Sequence, residues 1–199
     1  MFSSDVDVAN AALVLLGESH LTTLDENTDR GRAIKRNYTL TLEEALRCHD
    51  WNFARMRANL ARLTAVPEFG YSYMYQLPQD PLCLRVLQSN LSADEPWEIE
   101  TYRQAAPVAE YRVIVTDATA IEIRYIAKIT NPALWDSLFT DAFVHELARR
   151  AAYPITRNAT LVETLRQETE ARWRAARSVD GQESRALRQF LSGSFTDVR

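Results

Sequence analysis

The spacing of apolar residues changes twice along this chain, and no single layer of structure satisfies both spacings. Residues 5–16 place Val8, Ala12 and Leu15 on one helical face. Residues 28–49 carry Ile34, Tyr38, Leu42, Ala45 and Leu46 in a stripe at the 3.6-residue period. From Trp51 the period falls to two. Ala54, Met56, Ala58 and Leu60 alternate with Arg55, Arg57, Asn59 and Ala61, although Phe53, Met56, Leu60 and Leu63 also fit a helix. Tyr71, Tyr73, Tyr75 and Leu77 form a clearer alternation, followed by Leu82, Leu84 and Val86. Three more such stretches lie within 97–127: Trp97, Ile99 and Thr101; Tyr111, Val113 and Val115; Ile121, Ile123 and Tyr125. Helical spacing returns with Phe139, Phe143, Leu147 and Ala151, then with Leu161, Leu165 and Trp173 to about residue 178. The order predicts an α+β fold: an antiparallel helical bundle from residues 1–50 and 131–178, a β-rich insertion over 51–130, and an extended tail over 179–199.

Local signals set the expected boundaries. Ser4 with Asp7 three positions on resembles a capping box, and Gly17 suits the position just past a helix end. Thr28 caps the second helix and Asp29 suits its positive end, while Gly31 weakens the first turn. Asn131 as cap with Pro132 at the first helical position starts the third helix, Pro154 ends it, and Thr156 or Asn158 caps the fourth. Pro78, Asp80 and Pro81 break the strand pattern; 87–96 reads as a polar loop, and 103–110 and 117–120 as turns.

Little in the sequence points to catalysis. The five glycines are never within two residues of one another, so neither GxGxxG nor a P-loop is present. His20, His49 and His145 lack the spacing of a zinc helix, and each reads as a structural or exposed histidine. Cys48 and Cys83 have no metal-ligand spacing and read as two buried thiols. Glu43 and Glu44 point to different helix faces, and Glu98 and Glu100 share the solvent face of a strand; both pairs read as solvated carboxylates. No catalytic residue, cofactor or metal is expected. No apolar run approaches the roughly 18 residues of a membrane span, and the acidic start predicts no export signal and a soluble, cytoplasmic chain.

The cations are unusual in kind. Of 23 basic residues only Lys35 and Lys128 are lysines. Arginine is the cation preferred at interfaces, although codons of a G- and C-rich genome give the same bias. The tyrosines of 71–75 could stack bases, but residues 64–84 hold no Lys or Arg, which favours a packed sheet face. Arg149, Arg150, Arg166, Arg172 and Arg174 are interleaved with glutamates, which suits a solvated or intersubunit face.

Several short motifs follow one another in a fixed order. Leu15-Leu16-Gly17 closes the first helix; Ala45-Leu46-Arg47 precedes His49-Asp50-Trp51-Asn52-Phe53-Ala54; Tyr75-Gln76-Leu77-Pro78 with Asp80 leads to Leu84-Arg85-Val86-Leu87. Ile123-Arg124-Tyr125-Ile126 then leads to Thr130-Asn131-Pro132 and Trp135, and Phe143, Glu146, Leu147 and Ala148 open the helix before Ile155-Thr156. Over residues 4–178 the chain resembles the head-to-tail adaptor, or tail tubular protein A, family of short-tailed phages and related gene-transfer particles. One departure is that Pro81-Leu82 separates Asp80 from Cys83, where family members commonly run Pro-x-Asp-Cys-Leu-Arg.

The resemblance implies a non-enzymatic virion protein, made in the host cytoplasm and located at the head–tail joint. It implies a homo-oligomeric ring, typically a dodecamer, beneath the portal protein. That ring extends the DNA channel and offers a platform to the tail nozzle protein. Packaged DNA passes through its lumen without specific binding, and no membrane is involved. On this view Arg149, Arg150, Arg166, Arg172 and Arg174 are expected at subunit interfaces. Leu187, Arg188, Phe190, Leu191 and Phe195 are expected to anchor the tail on the portal, and the β-rich insertion is expected to face the nozzle. An Arg-rich nucleic-acid-binding module, or a small hydrolase with an unrecognised site, are the readings from other classes.

Overall fold

Ser4 and Asp7 close the start of α1 (Asp5–Leu15) reciprocally. Ser4 Oγ accepts from Asp7 N at 3.1 Å, and Asp7 Oδ2 accepts from Ser4 N at 3.1 Å. The structure, a computed structural model, describes residues 2–105 and 107–183. Gly17 follows α1 at a φ of 72°, the left-handed conformation its lack of a Cβ permits. Helix α2 (Asp29–Arg47) starts at Thr28, whose hydroxyl accepts from Gly31 N at 3.2 Å. Gly31 is a requirement there as well as a weak helix former, since a Cβ would lie 2.3 Å from Glu26 O.

Three expected boundaries move. Asn131 and Pro132 start only a single 3₁₀ turn, Pro132–Leu134. The chain then extends at Trp135 to bury the indole, whose Nε1 donates to Ile129 O at 2.8 Å. Helix α3 (Ser137–Thr156) has its own cap in Asp136, which accepts from Leu138 N and Phe139 N at 2.8 and 3.1 Å. Pro154 does not end it: in the last turn a proline forfeits one hydrogen bond, and the helix stops at Arg157, with a φ of 56°. Asn158 opens α4 (Ala159–Glu183) by accepting from Leu161 N at 3.1 Å. That helix passes the expected end at 178, so residues 179–183 are helical rather than extended tail.

The intervening strands are β1 (Arg55–Asn59), β2 (Tyr73–Gln76), β3 (Cys83–Ser89), β4 (Trp97–Ala105), β5 (Val108–Thr116) and β6 (Glu122–Ala127). They form two antiparallel sheets ordered β1-β6-β3 and β2-β5-β4. The fold is therefore α+β, with four α-helices and two three-stranded sheets among the described residues. Residues 87–89 belong to β3, held to β6 across two register shifts, and not to the loop expected there. Residues 103–105 and 108–110 are arms of the β4–β5 hairpin rather than turns; beyond the core both their faces are wet, so no apolar alternation marks them.

The two sheets face each other across Tyr75, Leu77, Cys83, Ile114, Ile121, Ile123, Tyr125 and Ala127. The second half of β5, residues 113–116, is buried on both sides. Ile114 enters that core, while Val113 and Val115 join Met74 beneath Leu63, Ala65 and Tyr71 on the opposite face. The helical core centres on α3, which contacts α1, α2 and α4. Phe139, Phe143, Leu147 and Ala151 are all fully buried there, as their spacing predicts.

Candidate functional site

The motif between α2 and β1 builds a joint that ties α2, β3, α3 and α4 together. Trp51 is fully buried, donates Nε1–H to Ala45 O at 2.7 Å, and packs against Phe53, Phe139 and Trp173. Arg47 donates to Leu84 O at 2.5 Å, and Arg85 pairs with Asp50. Trp135 meets Phe139 and Phe143 edge-on at 5.5 and 5.2 Å. The end of α4 is latched to the same joint. The buried Asp180 carboxylate accepts from Asn52 N at 2.9 Å and lies 3.0 Å from His49 Nε2, while Asn52 Nδ2 donates to Asp180 O at 2.7 Å. Sequence reading missed Asp180 because it lies beyond the last apolar repeat of α4, where nothing local marks it.

The five arginines singled out from the sequence divide into two groups. Arg149 and Arg150 fork onto Glu146 at 2.6–2.9 Å, and Arg150 also reaches Glu44 on α2. Burial raises the Glu146 carboxyl, but these two guanidiniums outweigh it and hold it below its ordinary value. Arg172 reaches Asp141 of α3 at 3.2 Å. Arg150 and Arg172 therefore tie helices to one another, while Arg149 is committed within α3. Arg166 and Arg174 lie on the solvent side of α4, paired to Glu163 at 2.8 Å and Glu170 at 2.5 Å. Leu187, Arg188, Phe190, Leu191 and Phe195 lie outside the described residues.

Two further charged clusters stand out. Arg57 and Arg124 are direct register partners in β1 and β6 on the sheet face turned away from the intersheet core. Neither has an ion-pair partner among the described residues, and Arg124 Nε is buried with no acceptor. They line an open groove of about 340 Å³ with Asn59, Gln88, Asn90 and Glu122. The other sheet carries Glu98 and Glu100 exposed on β4. Tyr71 donates to Glu98 at 3.1 Å, and Asp117 accepts from Ser72 N at 2.8 Å. Burial first, then the hydrogen bond to Glu98 and the charges of Glu98, Asp117 and Glu100, push the Tyr71 hydroxyl above its ordinary value.

The groups considered for chemistry lie apart. His20 is exposed, His49 is in the latch, and the buried His145 sits 2.9 Å from Asp141 O. Cys83 is buried as expected, and burial pushes its thiol up to about 11. Cys48 is a correction: it sits just past the end of α2, one turn beyond the exposed Glu44 and off the buried stripe, and is exposed. Glu43 and Glu44 diverge to Lys128 and Arg150. Tyr75 is buried in the sheet core, and Arg62 lies over the Tyr73 ring at 3.9 Å. Among the described residues, no group of His, Cys, Asp or Glu is placed to hold a metal ion, and no helix is long and apolar enough to cross a membrane. Comparison with protein families and with curated proteins finds no match to the chain.

Proposed function

We propose that the chain is a head-to-tail connector subunit of a phage-like particle, acting by assembly into a ring and not as an enzyme. One observation carries this reading. The motifs that resemble the adaptor family are scattered over the sequence, yet Arg47, Asp50, Trp51, Asn52, Leu84, Arg85, Trp135 and Phe143 converge on a single joint between helices and sheets. Convergence of residues so far apart supports one inherited arrangement over a chance series of short matches.

In this proposal residues 1–50 and 131–183 form a helical bundle, and 51–130 form an insertion directed to the nozzle protein. The ring, a dodecamer by the resemblance, sits in the virion beneath the portal protein and lets DNA pass without specific contact. The tail residues Leu187, Arg188, Phe190, Leu191 and Phe195 contact the portal. The test is to mix the full chain with the portal protein of the same particle and image the product. A collar of this chain at the portal exit is expected, and it should be lost on deleting residues 184–199, a cut that spares the Asp180 latch. Portals that stay bare in the presence of the full chain would refute the proposal. The nucleic-acid-binding reading is less favoured, because Arg149, Arg150 and Arg172 are committed to carboxylates of their own chain.

A further inference from the structure

Arg57 and Arg124 sit where two cations are unfavourable. Directly opposed side chains on an antiparallel pair have Cβ atoms about 5 Å apart, and like charges there repel. Most described arginines of the helical segments meet a carboxylate; these two meet none. Glu122 is the one carboxylate lining their groove, and it forms no ion pair with either. Asn59, Gln88 and Asn90 add polar groups around them. The arrangement suits an acidic group brought from outside the chain.

The chain itself carries such a group on the other side of the sheet pair. Residues 64–102 hold Glu68, Asp80, Asp94, Glu95, Glu98 and Glu100 against one arginine, Arg85, which is already paired with Asp50. Glu98 and Glu100 are register partners of Val115 and Val113, so they lie on the face of β2-β5-β4 turned away from the intersheet core. Strand β4 is the edge of its sheet, and Ile99 is exposed along it. The cationic patch lies on the sheet face that carries Ile126 to the helices, beyond the part they cover, and the acidic patch lies on the opposite side of the sheet pair, so the two cannot meet within one molecule. Two complementary patches on opposite faces are the requirement for heterologous, head-to-tail association.

We propose that the Arg57–Arg124 groove of one copy receives the Glu98–Glu100 edge of the next, making this the contact that propagates the ring. The inference rests on the ring reading and replaces Arg149, Arg150 and Arg172 by Arg57 and Arg124 as interface cations. A second copy is favoured over a nucleic acid because the chain is net negative, at −4, and a polyanion approaching the groove also meets Glu122.

Charge reversal with rescue tests it, read by sedimentation velocity of the full chain at low salt. Wild type is expected to self-associate. R57E/R124E and E98K/E100K should each weaken association on the order of tenfold or more, since attraction becomes repulsion. The quadruple variant, and an equimolar mixture of the two double variants, should restore it. R57Q/R124Q controls for folding: removing opposed like charges should leave the melting temperature equal or higher, while association is lost. Wild type that associates regardless of either reversal, or reversals that do not rescue one another, would overturn this contact and leave the portal test of the ring untouched. Wild type that stays monomeric at high concentration and low salt would overturn it as well. So would binding of duplex DNA to wild type that R57Q/R124Q abolishes, which would assign the pair to nucleic acid.

Discussion

Asp180 shows how much can rest on one carboxylate. Its side chain is 4% exposed and serves Asn52 N and the His49 ring together. Asp180→Ala removes both acceptors at once. At roughly 1.5–3 kcal/mol for a hydrogen bond to a charged group, the expected loss is about 3 kcal/mol, read from urea unfolding, with Asp180→Asn losing less because one acceptor oxygen remains. Glu146 answers to pH instead. Its folded carboxyl lies below the ordinary 4.5, so its stabilisation is complete above that value and is lost as pH falls through the lower folded one. Glu146→Gln should cost about 1–2 kcal/mol at neutral pH, because Arg149 loses its partner, and stability should then fall less steeply in acid. The cysteines give a separate check. A thiol reagent should modify Cys48 in the native chain, at a rate held down because partial burial raises that thiol as well, and reach Cys83, buried and raised to about 11, only on unfolding. Two thiols that react in the native chain would contradict the burial of Cys83.

The helices were largely legible because a buried face leaves a periodic trace, as in α2, and even α3, buried over most of its surface by α1, α2 and α4, keeps its large apolar residues four apart. The stripe from Phe139 to Ala151 and the Ser4–Asp7 cap needed no tertiary information. What escaped reading were features set by partners distant in sequence. Asn131-Pro132 looks like a helix start, but the need to bury Trp135 interposes an extended residue, and the start passes to Asp136. Pro154 looks like a stop, yet in a last turn it removes only one hydrogen bond. The distal segments of the β4–β5 hairpin, 103–105 and 108–110, lack alternation because neither face is covered there, so pairing alone makes them strands. The candidate site follows the same rule. Arg149, Arg150 and Arg172 were visible as an arginine-rich series, but their carboxylate partners were not all assignable without the helix packing that brings Glu44 and Asp141 near. Arg57 and Arg124 lie far apart in sequence, and only the β1–β6 register makes them neighbours.

Strand β6 decides whether the molecule behaves as one unit or two. Ile123, Tyr125 and Ala127 point into the intersheet core, while Ile126 between them points into the helical core, and Ile129 touches both. One strand thus forms a wall of two apolar clusters, so neither can open without exposing part of the other. The Asp180 latch adds a second tie, from the end of α4 to the turn that launches β1. Cooperative unfolding follows from this sharing. Helix content measured by circular dichroism, and hydrogen exchange at Ile114 in β5, should report the same unfolding free energy. Ile126→Ala removes a fully buried side chain from the helical side alone and should cost about 3 kcal/mol. If the clusters are coupled through β6, that substitution lowers the protection of Ile114 by the same amount, although Ile114 belongs to the other cluster. Were Ile114 protection to stay at its wild-type value while the helices melt earlier, helices and sheets would be separable units.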